Sequence, residues 1–182
     1  SYNGKSIEQI NLMKGRKHKA KEEALTVIDI MMAGGASAVF HGMGEEDVKR
    51  IMQYPFNMFA SDASIRVLNA GMPHPRGYGT NARVLGKYVR EEKVISLEEA
   101  IRRMTSLPAQ KFQLSDRGIL KEGMAADIVI FDEKEVKDMA TFEKPHVYSK
   151  GFHYVIVNGV ITAEKEKHLG VRAGKALYHI SQ

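Results

Sequence analysis

The sequence predicts an α/β fold followed by a small β module. Three features point to it. Between Glu22 and Ala60, helical apolar spacing alternates twice with short apolar runs, the order that βα units of a parallel sheet produce. From Thr80 onward, helical periodicity continues through three more segments. After Gly118 strand-like runs replace it, and Asn158-Gly159 between two of them is a strong hairpin signal.

Taken in order, Ser6-Ile7-Glu8-Gln9 has the form of a capping box and opens a short helix through Met13 that Gly15 can stop. The basic stretch Lys14 to Lys21 reads as a solvated linker and helix start. Glu22 to Met32 places Leu25, Ile28 and Met32 on one helical face and ends at Gly34-Gly35, which suits a C-cap. Ala36 to Phe40 predicts a buried strand. Glu45-Glu46-Asp47 puts acids where a helix dipole favours them, and that helix, with Val48, Ile51 and Met52, ends before Pro55. Asn57 to Ala60 predicts the next strand. Thr80 to Glu91 is an amphipathic helix with Val84, Leu85 and Tyr88 on one side. Ser96-Leu97-Glu98-Glu99 is a second capping box, and Leu107-Pro108 starts a further helix. Ala126 to Phe131, Tyr154 to Val157 and Val160 to Thr162 predict strands. The methionines, Met31, Met32 and Met52 among them, read as core filler.

At 182 residues the chain suits one domain or slightly more, and a closed (β/α)8 barrel of about 250 residues does not fit in it. A hydrophobic share of 43% is that of a globular protein, and no apolar run approaches a membrane span. The net charge of +5 is scattered among acids, which argues against nucleic-acid and membrane partners. The chain has no cysteine, which excludes disulfides and thiol catalysis within it and fits a reducing, cytoplasmic setting.

The chemistry centres on Phe59-Ala60-Ser61-Asp62 and the loop behind it, which includes Pro73-His74-Pro75-Arg76-Gly77-Tyr78-Gly79. In α/β proteins, groups at the carboxyl ends of strands face the ligand, and long loops are usually functional. Asp62 at such an end is either a group that carries the chemistry or a turn-forming cap, since Ser and Asp both bond nearby backbone N–H groups. Ser61 reads as a turn former, because no His-Asp partnership is evident beside it. His41 ends the first strand candidate and reads as a packing or supporting residue.

Several of these pieces resemble one family, the N-acyl-D-amino-acid deacylases (D-aminoacylases) of the amidohydrolase superfamily. They are Asp62 at its strand end, His74-Pro75-Arg76-Gly77-Tyr78-Gly79-Thr80, Ala82-Arg83-Val84-Leu85-Gly86 and Met104-Thr105-Ser106-Leu107-Pro108-Ala109. Asp116-Arg117-Gly118, Gly123-Met124-Ala125-Ala126-Asp127-Ile128-Val129 and Val157-Asn158-Gly159 continue the match. Upstream, Gly34-Gly35-Ala36 and Met43-Gly44-Glu45-Glu46-Asp47-Val48 extend it. The His74 to Thr80 stretch is much the more specific to deacylases.

The resemblance implies a C-terminal fragment of a (β/α)8 metal-dependent hydrolase barrel, residues 1–116, followed by the C-terminal share of a β-sandwich, residues 117–182. It implies zinc-dependent hydrolysis of N-acyl-D-amino acids. Asp62 would be the acid/base group and a metal contact. Arg76 would bind the substrate carboxylate through its planar fork, with Tyr78 and His74 in the same substrate-binding loop; the two prolines that flank His74 stiffen the loop, and His74 itself is expected to serve it structurally. The family's His-x-His ligand pair is missing: His18, His41, His74, His146, His153, His168 and His179 are all isolated. This stretch by itself is therefore expected to bind no zinc, to be inactive, and to self-associate or pair with a missing N-terminal part of the barrel. The alternatives are a dihydroorotase- or hydantoinase-like cyclic amidase, against which His74 to Thr80 argues, and a non-catalytic interaction domain.

Overall fold

The computed structural model describes residues 1–178, so His179 lies outside the described residues. Among the described residues, six α-helices precede a four-stranded antiparallel sheet. Helix α1, Ile7–Met13, carries the expected capping box: Gln9 N–H donates to Ser6 Oγ and Ser6 N–H donates to Gln9 Oε1. Helix α2, Ala20–Met32, ends as expected at Gly34 and Gly35, and both adopt positive φ. The two helices meet through a polar seam. Asn11 and Thr26 are fully buried, and Thr26 Oγ1 donates to Asn11 Oδ1 at 2.8 Å while accepting from Arg16. Asn11 Nδ2 donates to the Lys17 carbonyl, so the seam leaves these buried groups paired.

The expected apolar face of α2 is not buried. Leu25, Ile28 and Met31 are exposed, and Met32 is 83% exposed, so of the methionines named as core filler Met52 alone is buried. An apolar stripe is buried only when a second layer covers it, and none of the described residues does. Ala36 to Phe40 and Asn57 to Ala60 form no strands either. Strand hydrogen bonds need a neighbour, and neither segment pairs with one among the described residues. Residues 57–60 still pack inward through Phe59.

Helix α3 spans Glu45–Met52. Helix α4, Arg76–Arg83, begins earlier than the sequence suggests and continues as a π-helical segment, Val84–Glu91. Gly77 and Gly79 lower the helix propensity of this stretch, but burial of Gly79 and Ala82 and the fixed φ of Pro75 at the N-cap outweigh them. Helices α5, Leu97–Met104, and α6, Ser106–Lys111, follow. The main core is Met52, Ala82, Val84, Leu85, Tyr88, Val89, Ala100 and Val136. Val136 comes from the C-terminal part of the chain and sits against Gly86, where an added Cβ would come within 2.7 Å of the Val136 carbonyl oxygen. Arg90 donates to that same carbonyl and to that of Glu133.

Strands β1, Ile128–Phe131, β2, Phe152–Val157, β3, Val160–Glu164, and β4, Lys167–His168, form a meander in chain order. Val157 pairs with Val160 across the expected hairpin, and Asn158 and Gly159 both take positive φ, as its two-residue turn requires. Lys165-Glu166 makes a second such turn between Glu164 and Lys167 without the usual residue types, so it is not legible in the sequence.

The second capping box is only half made. Ser96 Oγ accepts from Glu99 N–H, but the Glu99 carboxylate turns instead to Arg102 and Arg103. These arginines grip the exit of α3. Buried Arg103 donates to the Met52 carbonyl and Arg102 to the Pro55 carbonyl. The segment that leads to Asp62 therefore leaves from a fixed point. Arg102 first, then Arg103, hold the Glu99 carboxyl down to about 2, from an ordinary 4.5. A carboxyl whose folded pKa lies below its unfolded one stabilises above the unfolded value and loses that contribution as pH falls. The stability difference between the parent and Glu99→Gln is expected to be full above about pH 5, to shrink as pH falls, and to be gone only below about pH 2. Urea unfolding across that range checks it, and a pH-independent difference would exclude the linkage.

Candidate active site

Asp62 closes the extended segment and sits at φ +48°, in the left-handed region. Asp tolerates that region better than most side chains. Ser61 Oγ accepts from Ala63 N–H at 3.3 Å, a turn contact. An apolar hollow lined by Val48, Ile51, Met52, Met58, Phe59 and Ala60 runs along the same segment on its N-terminal side.

The fold brings Asp62 and Arg76 together. Asp62 Oδ2 lies 3.0 Å from Arg76 Nη2, with the two side chains 86% and 43% exposed. An ion pair this exposed is worth about 0–1 kcal/mol. It places the two groups side by side without locking either. Arg76 is the first residue of α4, so the helix start sets its position.

His74 Nδ1 and the Tyr78 hydroxyl are engaged within the protein. His74 Nδ1 accepts from Arg76 N–H at 3.0 Å, satisfying an otherwise unpaired donor of the first helical turn. Burial, then the charge of Arg76, then His41, hold the His74 imidazole below its ordinary 6.5, which agrees with that acceptor role. The rings of His74 and His41 both stand edge-on to Phe142, with centroids 5.0 Å and 4.7 Å away. His41 thus packs, as the sequence suggests. Tyr78 Oη lies 3.0 Å from His146 Nδ1.

His146 and Phe142 are the residues that sequence reasoning missed. They are remote in the chain from the loop they touch, so no spacing rule connects them. The available signal was the long stretch 132–151 between β1 and β2, since long loops are usually functional.

The residues present do not make a zinc site. Such a site needs about four converging ligands. Among the described residues no group of three or more histidine, aspartate or glutamate side chains converges on one point. Asp62 offers one carboxylate, and the rings of His41 and His74 are packed on Phe142. No helix among the described residues is long and apolar enough to cross a membrane.

The amidohydrolase family matches residues 10–163. An N-acyl-D-glutamate deacylase from Alcaligenes xylosoxydans xylosoxydans is 45% identical over 124 residues, 68% of this chain and 25% of the relative. A D-aminoacylase crystal structure, described as defining a novel subset of amidohydrolases, superposes with a TM-score of 0.78 at 37% identity, over 92% of this chain and 33% of the other. The Bordetella bronchiseptica N-acyl-D-glutamate deacylase superposes with a TM-score of 0.74 at 36% identity, over 89% of this chain and 33% of the other. That structure holds zinc and a phosphonate inhibitor that mimics the tetrahedral intermediate. A Lactobacillus acidophilus dihydroorotase matches less, 36% identity over 95 residues, half of this chain and 20% of the relative. This chain thus spans about a quarter to a third of the deacylases it matches. It belongs to the amidohydrolase family, and the relatives it most resembles among these are N-acyl-D-amino-acid deacylases.

Proposed function

We propose that these residues form the C-terminal part of a zinc-dependent hydrolase that cleaves N-acyl-D-amino acids to a carboxylate and a free D-amino acid. The observation that carries this reading is the adjacency of Asp62 and Arg76, a proton carrier beside a carboxylate receptor, in a chain similar to deacylases. Hydrolysis adds water across the amide C–N bond. Asp62 takes a proton from the attacking water and delivers it to the leaving nitrogen, as a general acid/base does. Arg76 binds the α-carboxylate that every N-acyl amino acid carries. The weak Asp62–Arg76 pair suits this division: an incoming carboxylate takes over the guanidinium and leaves Asp62 free.

Zinc enters by analogy with the zinc-bound relative. The ligands beyond Asp62 belong, in this reading, to parts of the protein outside these 182 residues, as do the neighbours of segments 36–40 and 57–60. Residues 1–116 are the last units of the barrel and 117–182 a share of the sandwich. His74 and Tyr78 belong to the substrate loop, shaping it around Arg76. The uncovered face of α2 supports self-association of the chain by itself, and the lack of cysteine supports a cytoplasmic setting.

The test is the full-length zinc-loaded protein assayed on N-acetyl-D-glutamate, N-acetyl-D-leucine and dihydroorotate. Turnover of at least one N-acyl-D-amino acid is expected, with none by the isolated 182-residue chain. Turnover of dihydroorotate alone would move the assignment to a cyclic amidase, and no turnover of any would favour an interaction domain.

A further inference from the structure

The segment between β1 and β2 is not a slack connection. Lys137 and Lys150 pair across its base, each donating a backbone N–H to the other's carbonyl. Residues 138–149 therefore form a closed loop of the Ω kind, with its ends together. Its side chains reach the candidate substrate loop at several points. Phe142 packs on His74, and Ser149 Oγ donates to the Tyr78 carbonyl at 2.9 Å. Asp138 pairs with Arg83 at the far end of α4 at 2.9 Å.

His146 makes the most contacts. Asn69 N–H donates to its Nδ1 at 3.2 Å, Tyr78 Oη lies 3.0 Å from the same nitrogen, and Nε2 lies 3.0 Å from the Gly71 carbonyl. A backbone N–H can only donate and a carbonyl can only accept. Nδ1 is therefore the acceptor and Nε2 bears the proton, with the Asn69 N–H and the Tyr78 hydroxyl sharing the one Nδ1 lone pair. One imidazole thus ties the loop at two nearby backbone points, Asn69 and Gly71, to Tyr78 in the first turn of α4, where Arg76 stands.

We propose that His146 is a positioning residue for substrate-carboxylate recognition: it fixes the 69–78 loop so that the helix start presents Arg76 beside Asp62. This rests on the reading of Arg76 as the carboxylate receptor, while its structural half can be tested without substrate.

The experiment uses the full-length protein with His146→Ala and His146→Gln. Hydrogen–deuterium exchange reads the loop directly. In His146→Ala, amides in 69–78 should exchange about tenfold faster, the worth of roughly one hydrogen bond. The β2–β3 hairpin should be unchanged and serves as the folding control. Kinetics reads the consequence. KM for an N-acetyl-D-amino acid should rise about tenfold on the same reasoning, with kcat little changed. The matching α-carboxamide, which lacks the charge Arg76 holds, should be little affected. Glutamine can both accept from Asn69 and donate to Gly71, so His146→Gln should recover most of both effects. If the alanine variant does not fold, Ser149→Ala removes another tie to Tyr78 and should loosen the same segment.

Unchanged exchange in 69–78 in the folded variant overturns the positioning role, whatever the enzyme's substrate. Loosening with equal losses on acid and carboxamide, or with kcat falling at constant KM, overturns the link to the carboxylate. A parent that hydrolyses no N-acyl-D-amino acid overturns the functional reading alone and leaves the exchange result to decide the positioning.

Discussion

Asp62→Asn in the full-length enzyme is expected to lower kcat by about 10²–10⁴-fold, the usual worth of a general acid/base, with KM little changed. Asparagine is the right replacement for a backbone reason. Asp62 sits at φ +48°, and Asn is among the few side chains that share its tolerance of that region. Alanine would add strain and confound the result. The amide keeps the shape and can still face Arg76, but it cannot accept and return a proton. Zinc content should persist, because one carboxylate is a small part of any zinc site. Metal analysis beside steady-state kinetics separates the outcomes. A variant with near-parental kcat would reduce Asp62 to a turn residue, the role Ser61 already fills through Ala63.

Arg76→Ala is expected to act on binding. A guanidinium that meets the substrate carboxylate in both ground and transition states contributes mainly through KM. Truncating one partner of a buried, hydrogen-bonded charge pair costs about 2–5 kcal/mol, so kcat/KM should fall on the order of 30-fold or more. The comparison that decides is a substrate amide without the α-carboxylate, on which the variant should act almost as the parent does. Arg76→Lys should recover only part of the loss, because an ammonium is a point charge without the planar fork. Equal losses on both substrates would mean that Arg76 only secures the start of α4. Its weak pairing with Asp62 makes that outcome the less expected one.

Local features were legible in the sequence. The Ser6–Gln9 box, the Gly34-Gly35 helix end and the Asn158-Gly159 turn are set by residues a few positions apart, and each formed as read. What failed depended on partners. Among the described residues, Ala36 to Phe40 has strand composition but no ladder neighbour, and the Leu25–Ile28–Met32 stripe has no second layer. Glu99 left its cap because two arginines lay within reach, a competition that the capping pattern does not weigh. At the site, Asp62 and Arg76 were each singled out for their chemistry, but their 3.0 Å contact depends on α4 starting at residue 76, which the glycines concealed. His146 was beyond reach, because only the path of the 138–149 loop brings it to the site.

The seat of Val136 limits how this protein can change. Its carbonyl oxygen comes too close to Gly86 to admit a Cβ there, and its side chain is fully buried in the core with the helices. Sheet and helices are therefore one cooperative unit at this joint, since neither can retreat without opening a cavity in the other. Position 86 is constrained by the path of the chain at 136: a larger residue at 86 requires the backbone at 136 to withdraw. Recombination between relatives at the start of the β module would separate the two halves of that fit. A workable exchange has to carry Gly86 together with the segment just after β1 that lies on it.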